Sequence, residues 1–171
     1  IEHRPKEANT REEYGHWEGD LVVGKQGTKT VLFTLTERKT RQEIIMKLPN
    51  KETKTIAKAV DKIERKYQGR FYKVFKSITF DNGVEFMGYE GLEKSCLRKK
   101  NRTKVYYAHP YCSGERGTNE NNNRLIRRWI PKGTDITNIK VSFIKQVEDW
   151  INNYPRSIFE YKSSNMLLLE I

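Results

Sequence analysis

Three carboxylates stand where a carboxylate needs a reason. Asp20 lies inside the apolar run Trp17-Glu18-Gly19-Asp20-Leu21-Val22-Val23. An acid there is costly unless it is paired, hydrated or bound to a cation. Glu18 lies two residues earlier, on the same face of a strand. The plain alternative is an edge strand with both acids facing water. Asp81 closes a strand-like run in Thr79-Phe80-Asp81-Asn82-Gly83. The C-terminal end of a strand in a mixed sheet is a common place for a site. Asn-Gly after a strand is equally a hairpin signal. Glu120 opens a helix in Asn119-Glu120-Asn121, where the plain alternative is favourable charge at a helix N-terminus, about a few tenths of a kcal/mol. The joint placement of the three is the stronger signal.

The elements that must position them follow from pattern. Residues 17–23, 30–36 and 41–48 read as strands joined by short polar turns, hence an antiparallel meander. Ile56, Ala59, Val60, Ile63 and Tyr67 recur at helical spacing, which predicts a helix over 52–67. Residues 77–80 form a fourth strand and 104–107 a fifth, with a short helix near 88–97 between them. A helix runs from Thr118 or Asn119 to about Ile130, before Pro131. Val141, Ile144, Val147, Ile151 and Tyr154 mark a last long helix. The order predicts one α/β domain: a five-stranded mixed sheet with helices on both faces. Residues 1–14 read as an arm or linker and 15–171 as the core. The chain opens on Ile1, not Met, and so reads as a piece of something longer.

The 171 residues suit one domain with one sizeable core. Lys and Arg number 33 against 22 Asp and Glu, a net charge of +11, which favours a polyanionic partner and nucleic acid first. A membrane is the weaker reading, since no apolar run approaches the roughly 18 residues of a span. Two cysteines cannot build a disulfide scaffold, so a reducing, cytoplasmic setting is expected. Cys96, His109 and Cys112 lack a fourth ligand at zinc-like spacing. His16, beside Trp17, reads as a packing residue.

Gly15-His16-Trp17-Glu18-Gly19-Asp20, Glu37-Arg38-Lys39-Thr40-Arg41 and Asp81-Asn82-Gly83-Val84-Glu85-Phe86 resemble the catalytic domain of bacterial insertion-sequence transposases. Tyr107-Ala108-His109-Pro110-Tyr111, Glu115-Arg116-Gly117-Thr118-Asn119-Glu120-Asn121 and Pro131-Lys132-Gly133-Thr134-Asp135 extend the likeness to nearly the whole chain. The closest branch is insertion sequence thirty. That family usually has Trp at position 114, Gly at 124 and Pro at 164, where this chain has Gly114, Arg124 and Ser164.

The resemblance implies a ribonuclease H-like, retroviral-integrase-like fold. It also implies an Asp-Asp-Glu triad, here Asp20, Asp81 and Glu120, and a helix-turn-helix domain outside this chain that recognises the transposon ends. The implied activity is Mg²⁺-dependent DNA cutting at those ends and 3′-OH strand transfer into target DNA, with Mn²⁺ able to substitute. Two metal ions can clamp the attacking and leaving oxygens, and three carboxylates suffice because Mg²⁺ prefers hard oxygen ligands. Asp20 would bridge both ions, and Asp81 and Glu120 would each hold one. The alternatives are an inactive, domesticated DNA-binding domain and a nuclease of the same fold that cuts without joining.

Glu115 competes for the third place. It has 33 residues between it and Asp81, the interval associated with the family, against 38 for Glu120. Motif context and the first rigid turn of a helix favour Glu120. Around the centre, Arg98, Lys99, Lys100, Arg102 and Lys104 are five cations within seven residues, in a stretch whose ordinary reading is a solvated loop. Asn123, Arg124 and Arg127 fall on the face of Glu120, with Arg128 and Lys132 extending it and Leu125, Ile126, Trp129 and Ile130 behind it as core. Lys99, Lys100, Arg102, Asn123, Arg124, Arg127 and Lys132 are therefore the expected DNA contacts. The expected assembly is a homodimer or larger multimer on DNA.

Overall fold

A computed structural model describes residues 1–109 and 117–171. Its sheet has the order β3-β2-β1-β4-β5. β1 (His16–Val23), β2 (Val31–Glu37) and β3 (Glu43–Leu48) form the antiparallel meander, and β4 (Ser77–Phe80) and β5 (Lys104–Tyr107) continue it in parallel on the other side. The helices are α1 (Lys6–Thr10), α2 (Thr53–Tyr67), α3 (Phe71–Val74), α4 (Tyr89–Glu93), α5 (Gly117–Trp129), α6 (Val141–Asn153) and α7 (Ser164–Leu168). Among the described residues, no helix is long and apolar enough to cross a membrane.

β1 is the central strand, and its alternation divides the molecule. Trp17 and Leu21 face the core beneath α2 and α3, where Trp17 stacks on Phe75 at 4.7 Å and Phe75 on Phe71 at 4.5 Å. Such pairs contribute about 0.5–1.5 kcal/mol beyond their buried area. Gly19 faces the same way, and a Cβ there would meet the Phe80 ring at 2.1 Å, so only glycine lets Phe80 cross β1. Val22 faces the second core with Leu32, Ile126, Ile144 and Ile151, beneath α5 and α6. Glu18 and Asp20 share that second face.

The edge-strand alternative for β1 therefore fails: Glu18 is 0% exposed on the middle strand. The Asn-Gly hairpin alternative also fails, because the chain after β4 enters a helical turn at Val84–Phe86 and then α4. Strand and helix bounds otherwise lie close to their expected places. Three differences have physical causes. Residues 1–14 carry α1, whose Ala8 is 0% exposed, and Arg4 reaches Thr79 Oγ at 3.4 Å. The helix expected near 88–97 stops at Glu93, because residues 95–103 fold back under Arg102. Trp129, read as core, is 45% exposed and meets Trp150 and Phe143 edge-on.

One edge strand, β3, is covered by α6. The Asn152 side chain accepts from the Glu43 N–H and donates to the Glu43 carbonyl, and Glu148 accepts from the Ile45 N–H, all at 2.8 Å. The Glu43 carboxyl accepts from Thr36 Oγ at 2.6 Å and Asn122 Nδ2 at 2.5 Å. Burial pushes its pKa from the ordinary 4.5 up to about 8. A proton held in the folded state and released in the unfolded one stabilises the fold fully below pH 4.5. That contribution is lost as pH rises through about 8. Wild type should lose melting temperature between pH 5 and pH 8 relative to Glu43→Gln. A difference on the order of 5 °C corresponds to about 2 kcal/mol in a chain of this size. Parallel melting curves for the two proteins across that range would refute a buried, protonated Glu43.

Candidate active site

The register of β1 with β4 pairs His16 with Ser77, Trp17 with Ile78 and Glu18 with Thr79. Continued by two residues, it sets Asp81 beside Asp20. Both lie on the α5 face and both are half-buried. The Asp81 carboxylate accepts from the Gly83 N–H at 2.9 Å, and Asn82 Nδ2 donates to the Ala108 carbonyl at 2.8 Å. The end of β4 is thus tied to the end of β5.

α5 lies across these strands on two polar rungs. Its Asn119 N–H donates to Glu18 Oε2 at 2.9 Å, and its Asn123 Nδ2 donates to Asp20 Oδ2 at 2.7 Å. Two strand residues advance about 6.6 Å and four helix residues about 6 Å, so the rungs match without bending either element. Glu120 stands exposed between them. The other Glu18 oxygen accepts from Arg38 Nη1, whose Nε donates to the Ala8 carbonyl at 2.8 Å. Burial lowers the Arg38 pKa to about 10, opposed chiefly by the Glu18 charge. The pair therefore carries its compensating charges inside the protein.

Next to the carboxylates, Glu120, Asn123, Arg124, Arg127 and Lys132 line a groove floored by Leu21 and Val22. Arg127 Nη2 donates to the Val23 carbonyl at 2.8 Å, and Arg124 Nη2 to Asn121 Oδ1. The groove brings together the helix residues expected from sequence. The three carboxylates do not close to within 4.8 Å of one another; among the described residues, the group that does is Asp61, Glu64 and Cys96. That group lies on α2 and the loop after α4, on the opposite face of the sheet. Both of its carboxylates are already engaged, because Arg102 Nη1 donates to Asp61 at 2.5 Å and to Glu64 at 3.1 Å.

Arg102 is accordingly a correction. It is 1% exposed, and its Nε and Nη2 donate to the carbonyls of Leu92 and Gly91 at 2.8 and 2.9 Å, so no donor face remains for DNA. Lys99 and Lys100 are exposed, but they belong to the α2 side and not to the groove. His16 is buried between Ser77 Oγ at 2.7 Å and Glu13 at 2.8 Å, as a packing residue should be. His109 meets Glu2 at 2.7 Å. Cys112, Gly114 and Glu115 lie outside the described residues. Sequence reading missed Glu18, Arg38 and Asn119 as a unit, although the i, i+2 spacing of Glu18 and Asp20 already put both on one face.

The sheet order and the helices on its two faces define a ribonuclease H-like fold of the retroviral-integrase type. The catalytic core of BIV integrase superposes with a TM-score of 0.62 at 15% identity, covering 91% of this chain and 94% of that one. A chain of the simian T-cell lymphotropic virus intasome in complex with PP2A regulatory subunit B56 gamma superposes with a TM-score of 0.63 at 16% identity, covering 91% of this chain and 54% of that one.

In sequence, the chain is a relative of insertion-sequence transposases of the IS30 type across almost its entire length. It is 40% identical over 168 residues to the probable transposase of insertion-like element IS1161 from Streptococcus salivarius, covering 98% of this chain and 45% of the relative. It is 36% identical to the IS4351 transposase of Bacteroides fragilis, covering 96% and 48%. It is 32% identical to the InsI transposase of IS30C from Escherichia coli K12, covering 98% and 41%. The chain thus spans less than half the length of these relatives. No protein-family model matches it.

Proposed function

We propose that this chain is the catalytic core of a bacterial, cytoplasmic insertion-sequence transposase that cuts DNA at transposon ends and joins the freed 3′-OH to target DNA. The observation that carries the reading is the juxtaposition of Asp20 and Asp81 by strand register, with Asn123 tying Asp20 to the helix that bears Glu120. The relatives' names support it.

Asp20, Asp81 and Glu120 form an all-oxygen, hard donor set, which fits Mg²⁺ or Mn²⁺ and does not fit a soft metal. Two such ions, when bound, would polarise the scissile phosphate and stabilise both the attacking and the leaving oxygen. Everything else falls to the chain itself. Asn123 fixes Asp20 by donating to its Oδ2, and the Gly83 N–H fixes Asp81 in the same way. Glu120 supplies its carboxylate from the first turns of a helix held at both rungs. This suits a ligand that must be placed within about half an ångström. Arg124, Arg127 and Lys132 neutralise phosphates along the groove and so set the register of the DNA without reading its sequence. A Ser or Tyr nucleophile is not needed. The partners are the transposon ends and target DNA, engaged by a multimer of the whole protein.

The test pairs two variants, Glu120→Gln and Glu115→Gln, assayed for Mn²⁺ binding by calorimetry and for joining of pre-cut ends. Glu120→Gln should lose both, and Glu115→Gln should retain both. The reverse outcome would move the third ligand to Glu115. Cutting without joining by wild type would leave a nuclease, and absence of metal binding by wild type would leave a DNA-binding domain.

A further inference from the structure

We infer that the chain carries a second double-stranded DNA surface, at the opposite end of the sheet from the carboxylate groove. It comprises Arg70, Lys73, Arg98, Lys99, Lys100 and Lys104. All six are exposed. They gather where β4 and β5 begin: Lys104 pairs with Ser77 in the sheet, and its N–H donates to the Lys76 carbonyl at 3.2 Å. Arg98 lies over the Tyr72 ring at 4.9 Å, and Tyr72 sits between Arg70 and Lys73 in sequence. Asp81 lies four residues beyond Ser77, just past the far end of β4 and about 13 Å away.

The six cations outnumber the nearby acids, and each of those acids is engaged by another partner. Asp61 and Glu64 are taken by the buried Arg102. Glu13 is taken by Lys76 at 2.6 Å and by His16. Glu93 accepts from the Val105 N–H at 2.8 Å and from Asn101.

The loop that presents the patch is also built, not merely solvated. Glu64 accepts from Ser95 Oγ and, at 2.9 Å, from the Cys96 N–H. Ser95 Oγ in turn accepts from the N–H groups of Leu97 and Arg98 at 3.1 and 3.0 Å. Arg102 then fastens the far side of the loop to two α4 carbonyls. Ordering a loop costs conformational entropy, and here the ordering has already taken place, which lowers the entropic cost of binding. Six exposed cations gathered at one end of the sheet suit an extended polyanion that can meet several of them at once. The choice of DNA among polyanions rests on the function proposed above; the charge cluster does not. One chain would thus hold two DNA segments at once, one at each end of the sheet.

The experiment uses short duplexes labelled separately with donor and acceptor dyes, mixed with the full chain in EDTA, so that binding is read without chemistry. Wild type should bring the dyes together. Lys99→Glu/Lys100→Glu/Lys104→Glu should abolish the energy transfer while still binding one duplex. Its log–log salt slope should be shallower by about 2–3, at roughly 0.9 per phosphate contact. Arg124→Glu/Lys132→Glu should also abolish the transfer, by emptying the other site. Unchanged energy transfer and salt slope in the triple variant would overturn the inference. So would binding of wild type through these lysines to anionic vesicles and not to duplex. Loss of transfer in the triple variant, with no Mn²⁺ binding by wild type, would uphold the surface and sink the transposase reading instead.

Discussion

Asp81→Asn should remove cutting and joining while leaving the fold at wild-type stability. The substituted amide oxygen can still accept from the Gly83 N–H, so the turn after β4 is preserved. The side chain is half-buried and borders the groove, away from the apolar cores. Removing one of two carboxylates that the register sets side by side also relieves like-charge repulsion, so the melting temperature should hold or rise. Divalent affinity should fall by more than the roughly 10–100-fold typical of losing an outer-shell partner. Asp20→Asn should behave similarly, with one difference. Asn123 donates to Asp20 Oδ2, and an amide placed there can reorient to keep that bond. An Asp81→Asn protein that cuts DNA with Mg²⁺ near the wild-type rate would end the assignment of this residue.

The fold was legible because its strands alternate cleanly and its helices carry apolar stripes. Asp20 was legible for the opposite reason: it breaks the pattern of its strand. What the pattern could not show is which polar residues are buried together. Glu18 looks as solvated as Asp20 in sequence. Its burial depends on Arg38, 20 residues away, and on an α5 backbone N–H 101 residues away. Arg102 failed for a related reason. A run of cations reads as one solvated face, yet a single member turned inward to meet Asp61 and Glu64 is what shapes the loop. Trp129 falls at a core position by helical spacing, but α5 projects beyond the sheet there, and the ring packs on Trp150 at 5.4 Å instead. The burial of Ala8 was unreadable because it carries no periodic signal and its carbonyl is held by Arg38, 30 residues away.

Glu18→Gln should weaken divalent binding by about 10–100-fold although Glu18 is not itself a ligand, the size of effect expected of a partner that orients one. Glu18 is the upper of the two rungs that fix α5 on β1, and Glu120 lies one residue beyond the N–H it receives. A neutral amide keeps the shape but weakens the hold on both Asn119 and Arg38, and it leaves the guanidinium buried without its counter-charge. Breaking one side of a buried pair in this way costs about 3–5 kcal/mol, so loss of stability alone could mimic a positioning effect. The double variant Glu18→Gln/Arg38→Gln separates the two. Removing both charges should restore most of the melting temperature, because no buried ion is left unpaired. Mn²⁺ affinity should stay low, because the charged anchor at the α5 N-terminus is still gone. The apparent KM for metal should rise more than kcat falls, since the ligands survive and only their placement is loosened. Recovery of stability and Mn²⁺ affinity together in the double variant would mean that Glu18 serves folding only, leaving the placement of Glu120 to other contacts of α5 such as Asn123 with Asp20 and Asn122 with Glu43.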